Sequence, residues 1–266
     1  MRKILRTTAA GALGPVSVEA LLGHEKSPVV VLLHGVHGTA NLTEENKYGK
    51  LARMLASDAD VVIVETSRLC RDPQAFGDDR GGWAKAAFIG KSYAMELGDV
   101  LAGLAAAADF GLKGRPLWLW GFSLGGLHAV MIAGGEAKRL LAREGLESAF
   151  ELPGPLDGLA LSGSGLEGRK ELEGSGFFSL PILDSLPSTE ILARAARSAR
   201  VRRALSFYGS RDGTFSEEAC RDLLGSIGAT EKGFHVLEGA DHAFRTLYGE
   251  SSDEPLRTMM SLLLPL

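Results

Sequence analysis

The sequence predicts an α/β fold: a mostly parallel, twisted sheet with helices on both faces. Three observations carry this. Short apolar, β-prone runs alternate with helical stretches along the chain, as strand–helix–strand units do. Two of the runs, Val-Val-Val-Leu-Leu at 29–33 and Val-Val-Ile-Val at 61–64, are apolar at every position, as strands buried on both faces are. Gly121-Phe122-Ser123-Leu124-Gly125 joins an apolar run to a small-residue helical stretch, a sharp strand-to-helix turn.

The elements follow in order. A first strand is expected over 16–22 and the fully apolar second over 29–33. Residues 43–56 read as a helix with Thr43 as its N-cap, and 61–64 as the next strand. Residues 69–83 are polar and Gly-rich and read as a long loop. Residues 92–108 are rich in Ala and Leu and read as a long helix. Pro116-Leu117-Trp118-Leu119-Trp120 is the strand that feeds the turn, and 126–133 is the helix that leaves it. Further strands are expected over 156–161, 203–208 and 234–237. Between the first two of these, residues 163–200 exceed what a simple crossover requires. This stretch starts Gly/Ser-rich, carries Phe177-Phe178-Ser179-Leu180-Pro181, and ends in a basic helical segment from 190 to 203. It reads as a cap or lid inserted into a single domain spanning 1–266, with an elaborated crossover helix as the alternative.

Bulk properties narrow the classes. The chain has 266 residues, 45% of them hydrophobic and 23% charged, the balance of a soluble globular protein. A formal net charge of −4 gives no electrostatic footprint for nucleic acid. Cys70 and Cys220 are far apart, fit no metal or redox spacing, and are expected as free thiols. Residues 1–8 carry positive charge without the apolar core of a signal peptide, and no stretch approaches the roughly 20 apolar residues of a membrane span. A cytoplasmic location is the expectation. Oligomeric state is not legible.

The serine at the turn points to nucleophilic chemistry. A hydroxyl needs a base within hydrogen-bond reach, and the base needs a group to hold its tautomer. Of the six histidines, His242 lies in a loop just past the last strand and is the candidate base. His235 falls inside that strand, His128 within the helix after the turn, and His24 in a polar turn. Asp212 follows the 203–208 strand, at the edge where sites in parallel sheets gather, and is the candidate acid. Acyl transfer also needs donors for the oxyanion. The backbone N–H of Leu124 is one candidate. The other comes from His34-Gly35-Val36-His37-Gly38, with Val36 first, His37 second, and His34 as an orienter of the loop. Substrate contacts are expected from His37, Phe122, Phe177 and Phe178, while Trp83 is divided between pocket and packing.

Ser123, Asp212 and His242 in this order, behind a His-Gly loop after a buried strand, resemble the α/β-hydrolase superfamily from about residue 16 to the C-terminal helix. The resemblance implies a mostly parallel sheet of eight strands and no metal or organic cofactor. A serine nucleophile favours esterases, lipases, thioesterases and peptidases over dehalogenases with aspartate and dienelactone-hydrolase-type members with cysteine. The His-Gly-Gly-Gly run of hormone-sensitive-lipase-like members is absent. Gly35 and Gly38 around Val36-His37 resemble the loop of lysophospholipase-like and small bacterial esterases. The leading expectation is a serine hydrolase of small to medium carboxylic esters, its partner a small-molecule acyl substrate. An aminopeptidase or amidase, a carbon–carbon bond hydrolase, and a non-catalytic binding protein of the same fold stand as alternatives.

Overall fold

The computed structural model describes residues 2–23, 26–36, 38–146, 150–169, 180–246 and 253–266. Its centre is an eight-stranded sheet: β1 (Lys3–Gly11), β2 (Gly14–Leu22), β3 (Val29–Leu33), β4 (Asp60–Glu65), β5 (Leu117–Phe122), β6 (Leu156–Ser162), β7 (Arg200–Arg211) and β8 (Gly228–Asp241). The spatial order is β1-β2-β4-β3-β5-β6-β7-β8. β2 runs antiparallel to both β1 and β4, and every pair from β4 to β8 is parallel.

The apolar runs are explained by the two layers they feed. Successive side chains of a strand point to opposite faces. Val29, Val31 and Leu33 join one core, while Val30 and Leu32 join the other. β4 divides the same way, with Val62 and Val64 on the first face and Val61 and Ile63 on the second. The first face is covered by α3 (Tyr93–Ala107), α4 (Leu124–Ala133), α7 (Thr189–Ser198) and α8 (Glu217–Ser226). The second is covered by α1 (Lys47–Leu55) and α9 (Asp253–Leu263). Both faces of β3 and β4 are therefore apolar and covered.

Several expected boundaries move. Residues 3–11 form β1, an edge strand missing from the sequence reading. It alternates between half-buried and exposed positions, so its apolar content is low. Thr43 is not an N-cap: its backbone N–H and hydroxyl both bond to Asn41 Oδ1. α1 starts later, where Asn46 accepts from the Tyr48 N–H. The loop expected over 69–83 holds a short 3₁₀ turn, Pro73–Phe76, and the start of α2 (Arg80–Ala87). α5 (Ala137–Arg143) and α6 (Pro181–Asp184) complete the helices among the described residues. β7 and β8 run several residues beyond the expected strands because their polar ends are still paired in the ladder.

Of the 163–200 stretch, residues 163–169 and 180–200 are described. Residues 189–198 are the crossover helix α7, which buries Leu192, Ala195 and Ala196. It lies so close to α4 that a Cβ on Gly134 would sit 2.2 Å from the Ala195 carbonyl oxygen. This part of the stretch is thus a crossover helix, the alternative to a cap. Phe177 and Phe178, its expected apolar centre, lie outside the described residues, as do His24 and His37. No helix among the described residues is long and apolar enough to cross a membrane. Cys70 is half-buried, Cys220 is buried, and the two are unpaired.

Candidate active site

Ser123 stands between β5 and α4 with φ 53° and ψ −118°. A non-glycine residue at positive φ is strained by about 1–3 kcal/mol and persists only where its surroundings fix it. Here the Ser123 N–H donates to the Ser162 carbonyl at 2.8 Å. Its own carbonyl accepts from the Gly126 N–H at 2.9 Å and from Ser164 Oγ at 2.8 Å. The flanking glycines are steric necessities. A Cβ at Gly121 would lie 2.2 Å from the Gly125 carbonyl, and one at Gly125 would lie 2.3 Å from the Leu33 oxygen.

His242 and Asp212 come from the ends of β8 and β7. The Ser123 hydroxyl donates to His242 Nε2 at 2.9 Å, and His242 Nδ1–H donates to Asp212 Oδ2 at 2.8 Å. Asp212 is 2% exposed. Its other oxygen accepts from the N–H groups of Thr214, at 2.7 Å, and Phe215, at 3.0 Å, which fixes the carboxylate. Gly163 closes the floor at φ 57°, and a Cβ there would lie 3.1 Å from both Asp212 Oδ2 and His242 Nδ1. The His242 turn is itself tied. Asp241 Oδ1 accepts from the N–H groups of Ala243 and Arg245, and Phe244 takes φ 61°. Ser123 and Phe244 are the two positive-φ residues other than glycine among those described, and they flank the same three side chains.

The His34–Gly38 loop lies against the turn, since a Cβ on Gly35 would be 3.0 Å from Ser123 Cβ. Val36 is buried within it, and Leu124 opens α4, where the first N–H groups of a helix have no partner of their own. His34 Nδ1–H donates to the Gly35 carbonyl at 2.8 Å, and Nε2 accepts from the Thr66 N–H at 3.1 Å.

Phe122 requires correction as a substrate contact. It is 3% exposed and packs edge-on against Tyr48 and Phe244 and in parallel with Trp120. Trp118, Trp120 and Phe122 alternate onto the α1 face, which turns Phe122 into the core. Trp83 is fully buried against Phe88, so packing is its role. His235 stacks on Phe207 within the sheet.

Sequence reasoning missed Arg169, whose Nε donates to the Asp212 carbonyl at 3.0 Å and whose Nη2 donates to the Tyr208 hydroxyl at 3.2 Å. It also missed a buried polar cluster beneath the His34 loop. Lys91 is ion-paired with Glu96 and with Asp99, the latter at 2.7 Å, and donates to the Ser67 carbonyl at 2.6 Å. Thr66 Oγ1 donates to Glu96 Oε1 at 2.7 Å. His128 packs on Tyr93 with ring centroids 4.9 Å apart. No local pattern announces such a cluster, because it is assembled from three separate stretches, around residues 66–67, 91–99 and 128. Among the described residues, no group of three or more His, Cys, Asp or Glu is placed to hold a metal ion.

The cluster makes acid stability steep. Burial, then the Arg68 charge, lowers the His34 pKa to about 3. Burial lowers that of His128 to about 4, the nearby Glu96 opposing it. Both histidines are therefore neutral when folded and take up protons near 6.5 when unfolded. The unfolded state binds more protons below that value, so stability falls with pH from about 6.5 down to the folded pKa values. The expected loss between pH 6.5 and pH 5 is about 3 kcal/mol for the pair. Burial is the largest influence on Glu96 and works against its charged form, but its neighbours, Lys91 first among them, together outweigh it and leave the carboxyl at about 2. Its contribution is present above the ordinary carboxyl range and is lost as pH falls toward 2. Urea midpoints read between pH 7.5 and 5 check the histidine effect; a midpoint that does not move would mean that they protonate in the folded protein.

No family model and no curated protein matches the chain in sequence. Solved structures do. One, described as a putative dienelactone hydrolase from Klebsiella pneumoniae subsp. pneumoniae, superposes with a TM-score of 0.62 at 17% identity, covering 98% of each chain. The chain has the α/β-hydrolase fold. A second structure with this fold is a cold-adapted esterase from an Arctic intertidal metagenomic library, with TM-score 0.57, 17% identity, and coverage of 98% of this chain and 92% of that one. A third comes from work on metagenome-derived lipolytic enzymes, with TM-score 0.61, 15% identity, and coverage of 98% and 95%. The α/β-hydrolase fold thus spans nearly the whole chain. At these identities the likeness is one of fold.

Proposed function

We propose that the chain is a serine hydrolase of small to medium carboxylic esters acting through an acyl-enzyme. The observation that carries this reading is the unbroken hydrogen-bond chain from Ser123 Oγ through His242 to Asp212. The esterases and lipolytic enzymes among its structural neighbours agree with it.

In this reading the Ser123 hydroxyl gives its proton to His242 Nε2 as Oγ attacks the ester carbonyl. The carbonyl electron pair moves to oxygen, and the N–H groups of Leu124 and Val36 hold that oxyanion. Asp212 holds His242 in the Nδ1–H tautomer and balances the charge of the imidazolium. His242 then protonates the leaving alcohol. Water, deprotonated by His242, attacks the acyl-enzyme, and collapse returns Ser123 and releases the acid. Leu124 suits this task because it opens α4, where the helix dipole also favours negative charge.

The experiment is labelling with a fluorophosphonate probe, followed by turnover of p-nitrophenyl esters of rising acyl length. Labelling at Ser123 with a maximum at one acyl length is expected. Labelling without ester turnover would move the substrate to peptides, amides or carbon–carbon bonds. Absence of labelling would overturn the reading in favour of a binding protein.

Asp212→Asn separates this mechanism from a two-residue one. The amide oxygen keeps the bonds from Thr214 and Phe215, which leaves its NH2 facing His242 and forces the wrong imidazole tautomer. The expected result is a fall in kcat of about 10⁴-fold with an intact fold. A fall of less than tenfold would remove Asp212 from the mechanism.

A further inference from the structure

We propose that Arg68 is a positioning residue that sets the His34–Gly38 loop for oxyanion binding, an inference that rests on the reading above. Arg68 follows β4 and is 3% exposed. Its Nη2 donates to the Gly38 carbonyl. The same nitrogen lies 3.3 Å from both ring nitrogens of His34, so the guanidinium lies across the imidazole rather than in its plane. The rings of Phe88 and Trp83 lie beside it, with centroids 5.2 Å and 5.5 Å from Cζ.

This arginine is not consumed by the fold in the way that the neighbouring buried lysine is. Lys91 spends its ammonium on a carbonyl and two carboxylates. Arg68 Nε and Nη1 have no hydrogen-bond partner, and the nearest carboxylate oxygen, on Glu65, is 4.0 Å from Nη1. A buried cation held this loosely costs stability. Its clearest directed bond goes to the loop whose Gly35 lies against Ser123.

The geometry of the peptide unit gives that bond a purpose. In a trans peptide the N–H points opposite to the preceding carbonyl. The Gly35 carbonyl is fixed by His34 Nδ1–H and by the Gly38 N–H at 3.1 Å. The Val36 N–H is therefore turned away from His34, as an oxyanion donor must be. A flip of the 35–36 peptide would need the His34 ring and Gly38 to give way together. Arg68 blocks both, since it lies on the ring and holds the Gly38 carbonyl. Burial first, and then the charge on Arg68, keeps His34 neutral, which leaves Nε2 free to accept from Thr66.

The test uses the full chain with Arg68→Met, which keeps length and apolar contact but no donor, and Arg68→Lys, which keeps charge without the planar stack. Activity is expressed per site titrated by the fluorophosphonate probe, so loss of folded protein does not count. Arg68→Met is expected to lower kcat by about 10–100-fold, short of the loss of a whole oxyanion donor, with KM within about twofold. Affinity for a trifluoromethyl ketone, which forms an oxyanion on Ser123, should fall by a similar factor. Arg68→Lys should fall between. Should Arg68→Met not fold, Arg68→Lys alone is read, and a loss of at least threefold per titrated site is required. Amide exchange of the 34–38 segment should rise at least tenfold in either variant, a readout independent of turnover. Unchanged kcat per titrated site, or unchanged exchange, would overturn the inference. Wild-type protein without ester turnover would instead strike the serine-hydrolase reading, while the exchange measurement would still judge the loop.

Discussion

Ser123→Ala is expected to lower ester turnover by on the order of 10⁵-fold while leaving the thermal unfolding midpoint nearly unchanged. Alanine keeps the Cβ, so the φ of 53° is no harder to hold than for serine. The backbone bonds from Ser162, Gly126 and Ser164 do not involve the lost oxygen. What disappears is the nucleophile alone. Hydrolysis of the optimal p-nitrophenyl ester, followed alongside circular dichroism, checks both halves. Residual activity within tenfold of the parent would place the reaction elsewhere in the protein.

Gly125→Ala is expected to damage both stability and activity. Its Cβ would sit 2.3 Å from the Leu33 oxygen and 2.8 Å from the His34 oxygen. Both are backbone atoms of β3 and its loop, which side-chain rotation does not relieve. Core overpacking usually costs 1–3 kcal/mol, and a backbone clash of this depth belongs at about 3 kcal/mol or more. For a chain of this size that corresponds to a fall in Tm of roughly 6–12 °C. The displaced loop is the one facing Ser123, so activity should fall further than stability explains. A variant with parental Tm and turnover would mean that helix α4 is free to shift, against the packing described.

Those two residues also show what was readable beforehand. Two glycines around a serine at a strand-to-helix junction state a local steric need, and local needs are visible in one sequence. The same holds for the all-apolar β3 and β4, whose composition records two buried faces. Asp212 and His242 were legible because both follow strands whose ends must meet at one edge of a parallel sheet. Phe122 was misread although the signal was present: with Trp118 and Trp120 it keeps the period of two that points into the α1 face. β1 was missed because an edge strand needs little apolar content. Arg68, Glu96, Lys91 and Arg169 were beyond reach for another reason. Their partners come from other elements, and a charged residue next to none of its partners reads as surface.

The position of His242 has a consequence for how activity arises in time. It lies at the end of β8, the outermost strand of the sheet, 119 residues after the serine it serves and 30 after Asp212. Contacts of such long sequence separation form slowly, because much of the chain must be ordered before they close. In the serine-hydrolase reading proposed above, a growing polypeptide on the ribosome carries an inert serine until the last strand has emerged and docked. In refolding, the return of enzymatic competence should lag behind the return of helical signal and report the completion of the sheet's far edge. In that reading, a truncation before residue 242 removes the base from Ser123 and abolishes turnover.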